Sequence, residues 1–153
     1  MTEDLDIDMA DLMIMAEKFY LDTFVFMDIL SGEADAAKAH IYLEKMKQGA
    51  KGVISSILFA ELAFHIKRKR GREKAEEILL YIKSLPNLEV IPVDIEIAKK
   101  AGFLRSHYAK RIPKKLTYFD CIHIATALAA GCTKFVTGDR GFKDVKEIEM
   151  EIY

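Results

Sequence analysis

Tryptophan is absent from this chain, asparagine and glutamine occur once each (Asn87, Gln48), and only two cysteines and three prolines are present. Two cysteines cannot build a disulfide framework. Cys121 and Cys132, read as eleven residues apart on one helix, stand about 16 Å apart at roughly 1.5 Å per residue, beyond disulfide reach, and are expected to be small core side chains. Scarce Asn and Gln beside a charged fraction of 31% is the compositional lean of a heat-adapted protein. No apolar run approaches the ~20 residues that cross a bilayer, and the acidic opening MTEDLDIDMAD lacks the cationic start of a secretory signal. A soluble, cytoplasmic protein with no membrane partner is expected. Neither G-x-G-x-x-G nor a P-loop occurs, which disfavours nucleotide-binding enzymes of the Gly-rich kind.

What is present is enough apolar surface for one core. Of 153 residues, 51% are apolar, and no stretch separates two cores, so a single domain is expected. The net charge of −1 conceals a strong asymmetry. Residues 1–22 carry seven acids and one lysine, whereas residues 65–115 carry fourteen Lys and Arg against six acids. The basic block is densest at KRKRGR (Lys67 to Arg72) and KRIPKK (Lys110 to Lys115). Such blocks are most often solvated faces; a polyanion-binding surface is the sharper alternative.

Short β-rich runs at FYLD, KGVISS, LEVIPV, KFVTGD and EIEMEIY alternate with helical patterns over Phe24 to Leu30, Glu33 to Gln48, Ser56 to Arg70, Arg72 to Ser84, Asp94 to Ala109 and Thr117 to Ala130. The Asp94 pattern shows its stripe in Ile97, Ala101, Leu104 and Tyr108. Strands separated by helices of this length predict parallel pairing in a helix-covered α/β sheet. Residues 1–17 read as an acidic helical extension, with Leu5, Met9, Leu12 and Ala16 on one side, ahead of a domain spanning 18–153.

In such a layer the strands all end at one edge, where ligands bind. Asp22 closes the first strand, Asp139 follows the strand KFVT by two residues, Asp120 opens the Thr117 helix, and Glu61 sits about a turn and a half into the helix after GVISS. Singly, each has a bland account. Asp22 is a favoured N-cap type, TYFD resembles a capping box, and Asp139 in TGDRGF suits a turn. Glu61, flanked by Phe59, Ala60, Leu62, Ala63 and Phe64, either points to water or is held near the core for a reason. Jointly, four carboxylates at one edge repel one another and call for positive charge. An all-oxygen set selects a hard cation, Mg²⁺ or Mn²⁺, and a metal beside basic surface suggests phosphodiester chemistry.

The series YLDT (Asp22), SSILFAEL (Glu61), LTYFDCIHIATALAAG (Asp120) and KFVTGDRGF (Asp139) resembles the PIN-domain family of metal-dependent ribonucleases, which includes the VapC-type toxins of toxin–antitoxin pairs. The match runs from residue 18 to about 153, and its most specific parts are the Asp that opens an Ala-rich helix and the strand ending Thr137-x-Asp139-x-x-Phe142. The resemblance implies a five-stranded parallel sheet in order 3-2-1-4-5 flanked by helices. It also implies endonucleolytic RNA hydrolysis by a metal-activated water, leaving 5′-phosphate and 3′-hydroxyl ends, with Mg²⁺ or Mn²⁺ as cofactor. Asp22 and Asp120 would be direct ligands. Glu61 and Asp139 would act through waters or a second ion, and Thr137 would support the site. RNA is the implied substrate, with an antitoxin protein and a second copy in a homodimer as implied partners.

The chain departs from the family at Phe24, where many relatives carry Asn or Ser, so Thr23 is the candidate substitute for the missing polar contact. Arg140 is a candidate for phosphate contact or for pairing with the acids. Lys67, Arg68, Lys69, Arg70, Lys114 and Lys115 are candidate RNA contacts. His123 reads as a packed or capping histidine before a ligand, His65 as touching RNA or solvent, and Asp28 as a salt-bridge partner. A receiver-like or dehalogenase-like phosphoryl-transfer protein would want Asp-x-Asp at the first strand end, which Asp22-Thr23-Phe24 does not provide. The standing alternative is a catalytically weak module of the same fold that binds RNA or a protein partner.

Overall fold

In a computed structural model, which describes residues 8–153, the chain alternates strand and helix nearly throughout. After helix α1 (Met9–Ala16) come β1 (Lys18–Leu21), α2 (Thr23–Ser31), α3 (Ala36–Lys47), β2 (Lys51–Ser55), α4 (Ile57–Arg70), α5 (Arg72–Lys83), β3 (Leu88–Ile91), α6 (Ile95–Tyr108), α7 (Tyr118–Ala129), β4 (Lys134–Thr137), a 3₁₀ turn (Arg140–Phe142) and β5 (Glu149–Ile152). The strands form one parallel sheet in the order β3-β2-β1-β4-β5, as expected.

Side-chain alternation along the central strands feeds two cores. Phe19 and Leu21 of β1, Ile54 of β2 and Val136 of β4 enter the core under α2 to α5, while Tyr20, Val53 and Phe135 enter the core under α6 and α7. Burial on both faces explains why these strands read as near-continuous apolar runs. The edge strand β3 is half-exposed and carries Glu89, a charge that discourages further strand addition. The stripe Ile97, Ala101, Leu104 and Tyr108 is the buried face of α6. No helix among the described residues is long and apolar enough to cross a membrane.

Two sequence readings need correction. Cys132 is not on α7: the helix ends at Ala129, Gly131 takes φ +70°, and Cys132 lies beyond that turn, half-buried and free like buried Cys121. Asp28 forms no ion pair among the described residues; its carboxylate accepts a hydrogen bond from the Tyr153 hydroxyl. The expected extension falls partly outside the described residues, including Leu5. Its described part, α1, inserts Ile14 against the larger core but leaves Met9, Leu12 and Met13 exposed. It joins β1 through Glu17, whose carboxylate pairs with Lys45 at 3.3 Å.

Candidate active site

All four acids line a single cleft of about 780 Å³ at the carboxyl edge of the sheet. Each arrives by a different route. β1 delivers Asp22 at the threshold of α2, the fifth position of α4 delivers Glu61, the first turn of α7 delivers Asp120, and the turn after β4 delivers Asp139.

Asp22 occupies the N-cap position of α2, yet its side chain makes no cap bond. Its Oδ2 instead accepts a 2.8 Å hydrogen bond from the Thr137 hydroxyl, and Oδ1 lies 3.9 Å from His123 Nε2. Only 5% exposed, this carboxyl is pushed upward first by burial and further by Glu61 and Asp120; His123 and the Thr137 bond oppose the shift without cancelling it.

Glu61 points inward. Its Oε1 accepts from the Thr23 hydroxyl at 2.8 Å and from His123 Nε2 at 2.6 Å. Burial alone would raise this carboxyl, but the His123 bond and charge outweigh it, and Glu61 titrates below its ordinary value. Behind it runs a buried chain. The Ser55 backbone N–H donates to the Tyr20 oxygen at 3.1 Å, and the Tyr20 hydroxyl meets His123 Nδ1 at 2.5 Å. Because an ionised Glu61 can only accept, Nε2 carries a proton, which also reaches the Thr23 oxygen at 3.1 Å; Nδ1 then accepts from the Tyr20 hydroxyl when the imidazole is neutral and donates to it when the imidazole is charged. Burial and the charge of Asp22 hold the Tyr20 phenol far above its usual range, so it keeps its proton. Burial disfavours the His123 cation, but the Glu61 bond and the charges of Asp22, Glu61 and Asp120 raise its pKa nonetheless.

Asp120 is a capping residue that also faces the cleft. Its N–H donates to Thr117 Oγ1 at 3.1 Å, while its Oδ2 accepts from the Thr117 N–H at 2.9 Å. Asp139 also serves its turn: Oδ1 accepts from the Gly141 N–H at 2.8 Å, and Oδ2 pairs with the Lys114 ammonium. Lys114 lies 3.9 Å from Asp120 as well, with its ammonium 4.6 Å from the Phe142 ring centre.

The other sequence-predicted residues divide. Thr23 and Thr137 are bonded to Glu61 and Asp22, and Lys114 belongs to the acid cluster rather than to open surface. Lys115 and Arg140 are exposed, and Arg140 pairs with none of the four acids among the described residues. Lys67 to Arg70 form the exposed last turn of α4 and are not among the residues that line the cleft; Arg70 donates to the Leu30 carbonyl at 3.3 Å and Arg68 sits 5.3 Å from the Phe64 ring. His65 lines the cleft. Sequence reading missed Tyr20; the available signal was a buried-strand tyrosine, whose hydroxyl must find a partner.

Among the described residues no three acids or histidines converge into a ready metal cage. The donor chemistry still fits Mg²⁺ or Mn²⁺. Four hard carboxylates line one cleft with one lysine, Lys114, the Asp22 carboxylate is disfavoured first by burial and then by Glu61 and Asp120, and Mg²⁺ commonly keeps several waters while using one or two carboxylates.

Comparison with known proteins places the geometry in context. A model of the PIN domain family matches residues 19–148. No curated protein sequence matches the chain. Among solved structures, similarity is found to VapBC2 from Rickettsia felis bound to a promoter DNA fragment (22% identity, 88% of this chain and 97% of that one, TM-score 0.71). VapBC-1 from nontypeable Haemophilus influenzae (16% identity, 88% and 97%, TM-score 0.68) and the sarcin-ricin loop cleaving toxin VapC20 from Mycobacterium tuberculosis (15% identity, 86% and 97%, TM-score 0.66) share the same fold.

Proposed function

The chain belongs to the PIN-domain family, and on that premise we propose that it is a Mg²⁺- or Mn²⁺-dependent endoribonuclease and the toxin of a toxin–antitoxin pair. The observation that carries this reading is the meeting of Asp22, Glu61, Asp120 and Asp139 in one cleft from four separate elements. The fold is shared with toxins solved in complex with their antitoxins and with a toxin that cleaves the sarcin-ricin loop, which supports RNA as substrate and a small protein as partner.

Asp22 and Asp120 would hold the ion, with Glu61 and Asp139 acting through waters. A bound divalent cation would supply a water of lowered pKa and offset charge on the phosphate. The chain's own residues set the stage for that chemistry. Thr137 fixes one Asp22 oxygen, and the Thr117 N–H fixes one Asp120 oxygen. Thr23 and the Tyr20–His123 chain hold Glu61 ionised at Oε1, leaving Oε2 to orient a water or take its proton. Lys114 offers a cation to the phosphate or shields Asp139.

Single changes Asp22→Asn and Asp120→Asn are expected to lower cleavage of an RNA panel in Mn²⁺ by more than about 100-fold, beyond the ~10–100-fold typical of outer-shell partners, with circular dichroism unchanged. Full cleavage by either variant overturns the reading. A second reading, a catalytically weak binding module, is favoured by one observation: Lys114 already neutralises Asp139 beside Asp120. It predicts RNA or partner binding that is indifferent to EDTA.

A further inference from the structure

Three aromatic rings stand exposed around the same cleft. Phe24 (45%), Tyr118 (59%) and Phe119 (43%) all line it, the first from the opening turn of α2 and the other two from the opening turn of α7. Buried rings elsewhere pair with one another, as Phe19 with Tyr42 at 5.5 Å and Tyr20 with Phe135 at 5.1 Å. Among the described residues neither Phe24, Tyr118 nor Phe119 has an aromatic partner. Three large rings at one cleft mouth are an apolar surface that the chain alone does not cover.

Their surroundings specify what would cover them. The rings share the lining of the cleft with the four carboxylates, Lys114 and His65, so whatever covers them also meets charge. Tyr118 also walls a neighbouring hollow of about 250 Å³ that contains Lys115 and Arg105, and the Arg105 guanidinium lies 4.2 Å from the Tyr118 ring centre. Separate ring faces next to cations, flanking a place suited to phosphodiester cleavage, match the alternation of base and phosphate along an unpaired strand. A base inside a duplex keeps both faces stacked on its neighbours and has none to offer.

We infer that Phe24, Tyr118 and Phe119 are base-stacking residues that select unpaired nucleotides on either side of the scissile phosphate, with Arg105 and Lys115 receiving the phosphate beyond Tyr118. This rests on the ribonuclease reading above. It also gives Phe24 a role in place of the polar residue that many relatives carry there: a ring that holds substrate, while Thr23 makes the polar contact to Glu61.

The test is fluorescence-anisotropy binding in EDTA, using a fluorescein-labelled ten-nucleotide oligouridylate and an RNA duplex of equal length. Phe24→Ser, Tyr118→Ala and Phe119→Ala are each expected to weaken single-strand binding by roughly 5- to 150-fold, the range of one base–aromatic stack. Tyr118→Phe and Phe24→Trp should restore it, and duplex binding should be weak and unchanged throughout. Exposed positions make misfolding an avoidable confusion, checked by thermal melts. Equal losses on duplex and single strand, or no loss in any variant, overturn the inference. So does sedimentation showing that the ring variants dissociate a dimer while single-strand affinity is untouched, since the rings would then bind a second copy. Cleavage in Mn²⁺ on the same RNAs separates the two readings: ring-dependent binding without cleavage supports the platform and removes the nuclease, whereas cleavage with ring-independent binding does the reverse.

Discussion

Burial of Asp22 at the end of β1 sets two demands against each other. A carboxylate held there can meet a cation, but without one its charge is poorly solvated and repelled by Glu61 and Asp120. Its pKa is raised in the folded chain, so above that folded value the ionised group costs stability relative to the unfolded state. Asp22→Asn removes the charge and keeps an acceptor for Thr137. In metal-free buffer near neutral pH it is therefore expected to melt higher than the wild type, by about 2–4 °C for each kcal/mol relieved in a chain of this size. The gain should shrink as pH falls and vanish below the ordinary Asp value of 3.8, where the wild-type carboxyl is protonated in both states. Differential scanning calorimetry of both proteins across pH 3–7, in EDTA, reads this directly; a destabilised variant at pH 7 would mean that the attraction to His123 outweighs burial.

At the scale of elements, α7 shows how one motif can serve fold and site together. The box formed by Thr117 and Asp120 satisfies two orphan backbone donors at the helix start and fixes Asp120 Oδ2, while Oδ1 has no protein partner among the described residues. Thr117→Ala should cost about 1 kcal/mol in urea unfolding. Cleavage should fall by less than the roughly 10–100-fold that follows loss of a bond to a ligand, because the backbone N–H of residue 117 still holds Oδ2. The cap was legible in TYFD, since capping chemistry is local in sequence, and the edge position of Asp120 followed from its place at the start of a helix in a parallel α/β layer. The strands and their order were legible for a similar reason: short β-branched runs between helical stripes leave few topologies, and the motif series matched one of them. What was not legible is long-range or loop-borne. The Tyr20–His123 bond spans 103 residues and hides a polar tip inside an apolar strand pattern. Lys114 lies in an irregular segment between α6 and α7, where no periodicity signals which way a lysine turns. The helical pattern itself stops at Ala130, and Cys132 falls beyond the turn at Gly131 rather than on α7.

Over the whole molecule, a net charge of −1 resolves into separate acidic and basic regions, and α4 connects them. It carries Glu61 at the cleft and Lys67 to Arg70 in its last turn, about 9–14 Å farther along at 1.5 Å per residue. The cleft itself repels a polyanion, so an RNA strand reaching it must gain electrostatic free energy elsewhere. The basic turn of α4 is one candidate and the Arg105–Lys115 hollow is another. Arg70 is partly committed to capping the end of α2 through the Leu30 carbonyl, while Lys67, Arg68 and Lys69 are exposed and have no acidic partner among the described residues. If they do, replacing all three with Gln should reduce the slope of log K against log salt for a single-stranded RNA by roughly 0.7 for each phosphate that is no longer neutralised, about 2 in total. The loss should be the same for every RNA sequence tested, because phosphate contacts position the strand without reading it. A slope unchanged from wild type would assign the turn to solvent, and the burden of attracting RNA would shift to the cations beside Tyr118.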